Sequence, residues 1–238
     1  MKIIGQPESY SEILQRIFFF SVATGICCSI ILAKASPAFK AFMDSIPNEA
    51  EIPFIKGLKA SYVLIPLVIS FISIRLRLHD KISDLLCIRF LFDTKHILYP
   101  LAELSGHDLT SEIKSAINKK RESAMYAVFY PYAGFADPKI DKQLVRTALD
   151  NWGWFWVDVE TILLCVLTMI ILICLGNCLY IKLFAVILFV LLIFILYQWF
   201  ACKSSAKRQV TAILDDPLRK SAIYNYFVKY ENTQKDKT

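Results

Sequence analysis

Apolar and polar positions along this chain separate into blocks. The longest apolar block, Leu183 to Ala201 (LFAVILFVLLIFILYQWFA), runs nineteen residues without a charge. At about 1.5 Å per residue a helix of that length spans the roughly 30 Å hydrocarbon core of a bilayer. Thr161 to Leu175 (TILLCVLTMIILICL) is equally apolar, and only Gly176, Asn177 and a few further residues separate the two blocks, which predicts a transmembrane helical hairpin. Ile17 to Ala33 is uncharged between Arg16 and Lys34, whose long stems reach the headgroups, and predicts another span. Its rival is a cleaved signal peptide, since Ala33-Lys34-Ala35 has small-x-small spacing, but Glu8 and Glu12 cancel Lys2 and Arg16 and leave no positive leader. Ala60 to Ile74, with Pro66 in its middle, is read as the fourth span, with Tyr62 in one interface and Arg75 and Arg77 at the other; a re-entrant or interfacial segment is the alternative.

The polar blocks carry a helical period. After Arg77, Ile82, Leu85, Leu86 and Ile88 recur at helical spacing in a stretch that stops around Pro100 to Gly106, and a second helix starts at Asp108 or Thr110 and runs to about Val128. Tyr130-Pro131-Tyr132-Ala133-Gly134 breaks it. Asp137-Pro138 then predicts an N-cap with proline at the first helical position, and the helix runs through Ile140, Leu144 and Ala148 into the third span. Asp216-Pro217 repeats the signal for a tail helix with Leu218, Ala222, Phe227 and Tyr230 on one face. The fold class is therefore an all-α membrane protein, with four transmembrane helices in two hairpins, a helical cytoplasmic segment between them and a helical cytoplasmic tail.

Charge sets the orientation. Hydrophobic residues make up 56 % of the chain, yet 20 % are charged, as blockwise alternation requires. Lysine and arginine number two in residues 1–16, four in 34–59, twelve in 75–154, one in the hairpin turn (Lys182) and eight from 202 onward. With four spans, twenty-two of them lie on the side of both termini, which the positive-inside bias assigns to the cytoplasm. The expected organisation is a cytoplasmic N-terminus (1–16), a first transmembrane pair (17–78) with an external loop (34–59), a helical cytoplasmic segment (79–153), the hairpin (154–202) and a basic tail (203–238).

Few residues carry recognisable chemistry. His79, His107 with Asp108, and Asp137 or Asp141 follow the order of metal-dependent phosphohydrolases, but the spacing is permissive and solvated surface histidines explain them better. Arg89 and His96 have the spacing of the HEPN ribonucleases, although Phe90 replaces the polar residue beside the arginine. The seven cysteines lack disulfide-framework or zinc-ligand spacing and read as small hydrophobes, and no cofactor is expected. Asp158 and Glu160 are more informative. A carboxylate inside a span costs on the order of 2.5 to 3.5 kcal/mol, and two positions apart on a helix they diverge by about 200°. At least one should face the bundle interior or an ion path, with solvation at the interface or pairing with Arg75 or Arg77 as the plainer alternative. Trp152, Trp154 and Trp156 before the third span and Trp199 at the end of the fourth form an aromatic belt that anchors depth in the membrane. Lys119, Lys120 and Arg121, with Lys203, Lys207 and Arg208, suit anionic lipid headgroups ahead of a nucleotide messenger or nucleic acid.

Two spans, a charged helical segment, two closely linked spans led by WGWFWVDVE and a basic tail form a layout that resembles the small four-span membrane effectors and sensors of bacterial antiphage defence systems, including CBASS effectors, retron-associated membrane proteins and the Kiwa membrane component. That resemblance implies an inner-membrane protein that perturbs the host membrane to abort infection. It also implies a homo-oligomer in the lipid bilayer, released by a regulatory protein or nucleic-acid-containing partner encoded nearby. An accessory subunit of a channel or transporter, and after it an integral membrane enzyme, are the other readings.

Overall fold

The computed structural model describes residues 5–46 and 59–235. Residues 47–58 of the expected external loop, residues 1–4 and the last three of the tail lie outside the described residues. Helices α1 (Tyr10–Ala35), α2 (Pro37–Ser45), α3 (Ser61–Arg75), α4 (Leu78–Leu85), α5 (Ile88–Phe92), α6 (Tyr99–Ser105), α7 (Ser111–Lys119), α8 (Arg121–Val128), α9 (Tyr130–Ala133), α10 (Lys142–Cys174), α11 (Cys178–Leu214) and α12 (Pro217–Lys235) follow in order, with a π-helical segment at Asp93–Leu98. Three of them, α1, α10 and α11, are long and apolar enough to cross a membrane. The fifteen residues of α3 rise only about 22 Å, so α3 reaches that criterion only when taken with α4 as one broken span.

The chain divides into two compact units. The first comprises residues 1–5, 11–79 and 153–198, and the second residues 6–10, 80–152 and 199–238.

In the first unit, α1 packs along α10 in ascending register. A Cβ on Gly153 would lie 3.2 Å from the Arg16 guanidinium, Phe20 meets the Trp154 ring edge-on at 5.1 Å, Ser21 meets Glu160, and Asn177 reaches the Ala35 carbonyl. Rising numbers on both sides mean that the two helices run parallel. Cys28, Leu32, Cys165, Leu172 and Phe184 form one core cluster, and Met43 and Tyr62 form another with Ile26, Ile30 and Phe39 around them. Between α1 and α3 the approach is close enough that a Cβ on Gly25 would sit 2.8 Å from Cβ of Pro66. The turn between α10 and α11 closes on Gly176, whose positive φ of 67° favours glycine, with the Asn177 N–H donating to the Leu172 carbonyl. Helix α2 sits inside the loop expected at 34–59. Ser36 caps it by accepting from the Phe39 N–H at 3.2 Å, and Pro37 opens it.

The core of the second unit gathers Leu98, Leu101, Ile117, Val128, Ile213 and Phe227, all nearly inaccessible. Several expectations are corrected there. The period read through Leu85 and Leu86 is interrupted at Cys87, which takes a left-handed φ of 53°, and both leucines are exposed while Ser83 is buried. The helix end agrees with the expected stop around Pro100 to Gly106: the π-helical segment just before Pro100 removes the regular i−4 hydrogen bond that proline cannot make, so the helix passes Pro100 and ends at left-handed Gly106. Thr110 caps α7, as one of the two expected starts, but Lys120 interrupts the run to Val128. Asp137-Pro138 is not the start of α10. Asp141 is, accepting from the Gln143 N–H at 2.8 Å, while Asp137 takes the Lys139 ammonium. On α12 Asp216 does cap the helix, accepting from the N–H groups of Leu218 and Arg219, but Ile223 and Phe227 are the buried residues and Leu218 and Ala222 face out. The side chain of Tyr230 lies outside the described residues.

Candidate functional site

Helix α1 begins seven residues before its uncharged stretch, and those turns bring Arg16 into the first unit. Arg16 is 2 % exposed, a position tolerable for a guanidinium only with its polar atoms and π contacts supplied by protein. Its Nη2 donates to the Gly5 carbonyl at 2.5 Å, and its guanidinium carbon lies 4.8 Å over the Trp154 ring. Gly153 leaves the space the guanidinium fills. Sequence reading treated Arg16 as a flank that reaches the headgroups; the structure makes it a packing element between α1 and α10.

Two turns further along α10, Glu160 is 7 % exposed. Its Oε2 accepts a 2.6 Å hydrogen bond from the Ser21 hydroxyl, and its buried Oε1 has no hydrogen-bond donor. Asp158, about 200° around the helix, is half-buried. The two acids thus have different surroundings, and Glu160 is the one set between apolar helices. Ser21, missed in the sequence, carries no signal there: it is one small polar residue in an apolar run.

The tryptophans are engaged with protein. Trp156 is 4 % exposed and meets His79 edge-on at 6.1 Å, so its ring is used in packing where an interface ring was expected. Trp154 is half-buried beneath Arg16. In the second unit, Trp152 and Trp199 both pack on Phe92, with ring centroids 4.9 and 5.6 Å away, and Lys203 places its ammonium 5.3 Å over Trp199.

The histidines are not a solvated surface. His79 is buried, and His107, 7 % exposed, stacks on Phe227 at 6.2 Å with its Nε2 3.7 Å from the Glu231 carboxylate. His96 is half-buried between Phe92 and Trp199; burial, with Lys203 and Lys95 nearby, lowers its pKa. Asp108 is exposed, and among the described residues no three His, Cys, Asp or Glu side chains are grouped to hold a metal ion.

A second polar cluster, absent from the sequence reading, lies in the second unit. Asp93 Oδ2 accepts from Arg121 at 3.0 Å and lies 3.9 Å from Arg89, which in turn donates to the Tyr130 hydroxyl at 3.4 Å. Burial pushes Asp93 up to about 6 even though both arginines pull it down. Only the i,i+4 spacing of Arg89 and Asp93 was visible in the sequence; Arg121 is twenty-eight residues away.

Compared with known proteins, the model of the YmfE protein family matches residues 9–227, so the chain belongs to that family. Neither a curated protein nor a solved structure matches it.

Proposed function

We propose that this member of the YmfE protein family is a bacterial inner-membrane effector that perturbs the membrane, with antiphage defence as its setting and Glu160 as the group on which the action depends. The observation that carries this reading is the carboxylate itself. It lies buried in a helix apolar enough to cross a bilayer, with one oxygen bonded to Ser21 and the other without a donor. Apolar packing alone would be served better by leucine, and acids in such places characteristically face a bundle interior or a wet path. A homo-oligomer would surround that path, and a regulatory partner would hold it closed. The basic residues Lys203, Lys207 and Arg208 then meet anionic headgroups.

Induction in bacterial cells, with membrane potential followed by a voltage-sensitive dye at matched membrane abundance, tests the proposal. Wild-type chain should depolarise the cells on induction or on phage challenge. Glu160→Gln and Ser21→Ala should each change the extent, and Asp158→Asn should behave as wild type. No depolarisation under either condition removes the effector reading, and unchanged depolarisation in Glu160→Gln removes the role of that acid.

One observation favours a second reading, an accessory subunit of a channel or transporter. Only 6 % of the most apolar stretch of α11 is buried, which leaves Val186, Phe189, Ile193 and Leu196 free to meet another protein's helix as well as lipid. Co-purification of a transport protein, lost on polar substitution of those residues, would establish it.

A further inference from the structure

In the second unit, cations gather around one aromatic ring of α11. Lys203 places its ammonium 5.3 Å over the Trp199 ring and 5.5 Å over that of Phe200, and the His96 imidazole meets Trp199 edge-on with ring centroids 6.0 Å apart. His96 and Lys203 therefore share that ring. Lys95, exposed beside His96, joins them: burial lowers the His96 pKa, and Lys203 and Lys95 lower it further with no acid acting against them. Lys207 is exposed one turn beyond Lys203 on the same helix. Among the described residues no carboxylate pairs with any of these three lysines. Like charges gathered without an acid repel one another, and an anion entering between them removes that cost. The neighbouring ring is apolar and open. Phe200 is 64 % exposed, and the uncharged run of α11 ends one residue later at Ala201. A soluble anion would satisfy the cations and leave Phe200 in water, whereas an anionic phospholipid meets both.

We infer that Lys203, Lys95 and His96 seat the phosphate of one anionic phospholipid, with Phe200 against its acyl chain. Lysine ammonium groups donate charge-assisted hydrogen bonds to phosphate oxygens, and a neutral imidazole adds one N–H. The cation–π contacts hold Lys203 in place beforehand, so less of its side-chain freedom is lost when the lipid arrives. The inference deepens the headgroup contact proposed above for Lys203 and rests on the membrane-spanning reading; Lys95 and His96 are its additions.

The test places the full chain, with isotopically labelled histidine, in nanodiscs of phosphatidylcholine with or without phosphatidylglycerol. NMR follows the three imidazoles, and His96 is the signal absent from His96→Gln. With phosphatidylglycerol, His96 should titrate at higher pH than in phosphatidylcholine alone, and the difference should be lost in the double variant Lys95→Gln/Lys203→Gln. A phosphatidylglycerol with a photoactivatable acyl chain checks this on the unaltered chain: adducts should appear on the peptide that holds Phe200 and be competed by phosphatidylglycerol in preference to phosphatidylcholine. The double variant should weaken that labelling about thirtyfold, the worth of two basic residues at an anionic surface. A His96 difference that survives in the double variant would assign it to diffuse surface charge, and no difference in wild type would mean that the lysines face water; either overturns the inference. So does a shift of the same size on adding inorganic phosphate to phosphatidylcholine discs, which would make a soluble anion the occupant. Absence of acyl-chain adducts anywhere on α10 and α11 would instead sink the membrane-spanning reading beneath it.

Discussion

Asp93 shows how a single buried residue sets a measurable property. Two guanidiniums face it, yet the water it has lost outweighs them, and Glu122 adds to the upward push. A carboxyl that binds its proton more readily folded than unfolded contributes stability below 3.8 and loses it as pH rises through about 6. His96 acts in the opposite direction. Its folded pKa is depressed, so its contribution stands at higher pH and is lost on acidification. Comparison with a variant isolates the carboxyl. Melting of purified wild-type chain and Asp93→Asn between pH 7 and 5 should show wild type gaining relative to the variant on acidification, and a constant difference across that range would mean that Asp93 does not titrate there.

At the scale of elements, α1 and α3 approach closely, and the approach depends on Gly25. A methyl there would meet a rigid proline ring at 2.8 Å, with no flexible side-chain end to move aside. Gly25→Ala should therefore lower thermal stability in detergent by about 1 to 3 kcal/mol, the ordinary cost of overpacking, with a larger loss for Gly25→Leu. A melting point unchanged in both would show that α3 does not pack there. That contact was not legible, because periodicity tells which residues can share a face and not which residue of another helix will lie opposite. The long apolar helices were legible, since length and absence of charge suffice to mark them. Helix α2 had its signal in Ser36-Pro37, overlooked inside an expected loop. Asp137 was read as the cap of α10, and Asp141, four residues on, holds that place instead. His79 was read as solvated and is buried, and Leu85 and Leu86 were read as a helix face and are exposed, because spacing alone does not say which side meets protein.

For the molecule as a whole, the parallel contact of α1 with α10 bears on how the chain crosses the membrane. Two membrane spans that ran the same way would need a return path between them, which in the four-span reading is α3. Reporter fusions or cysteine labelling should accordingly find residues 110 and 225 on the cytoplasmic side and residue 45 outside. Residues 45 and 110 on one side would mean that α3 does not cross. The same register has a consequence in time. Ser21 waits for a partner 139 residues later in the chain, and at about 5 to 20 residues per second a ribosome needs roughly 7 to 28 s to make it. Through that interval the nascent first helix has Arg16 and Ser21 without Trp154 and Glu160 to meet them.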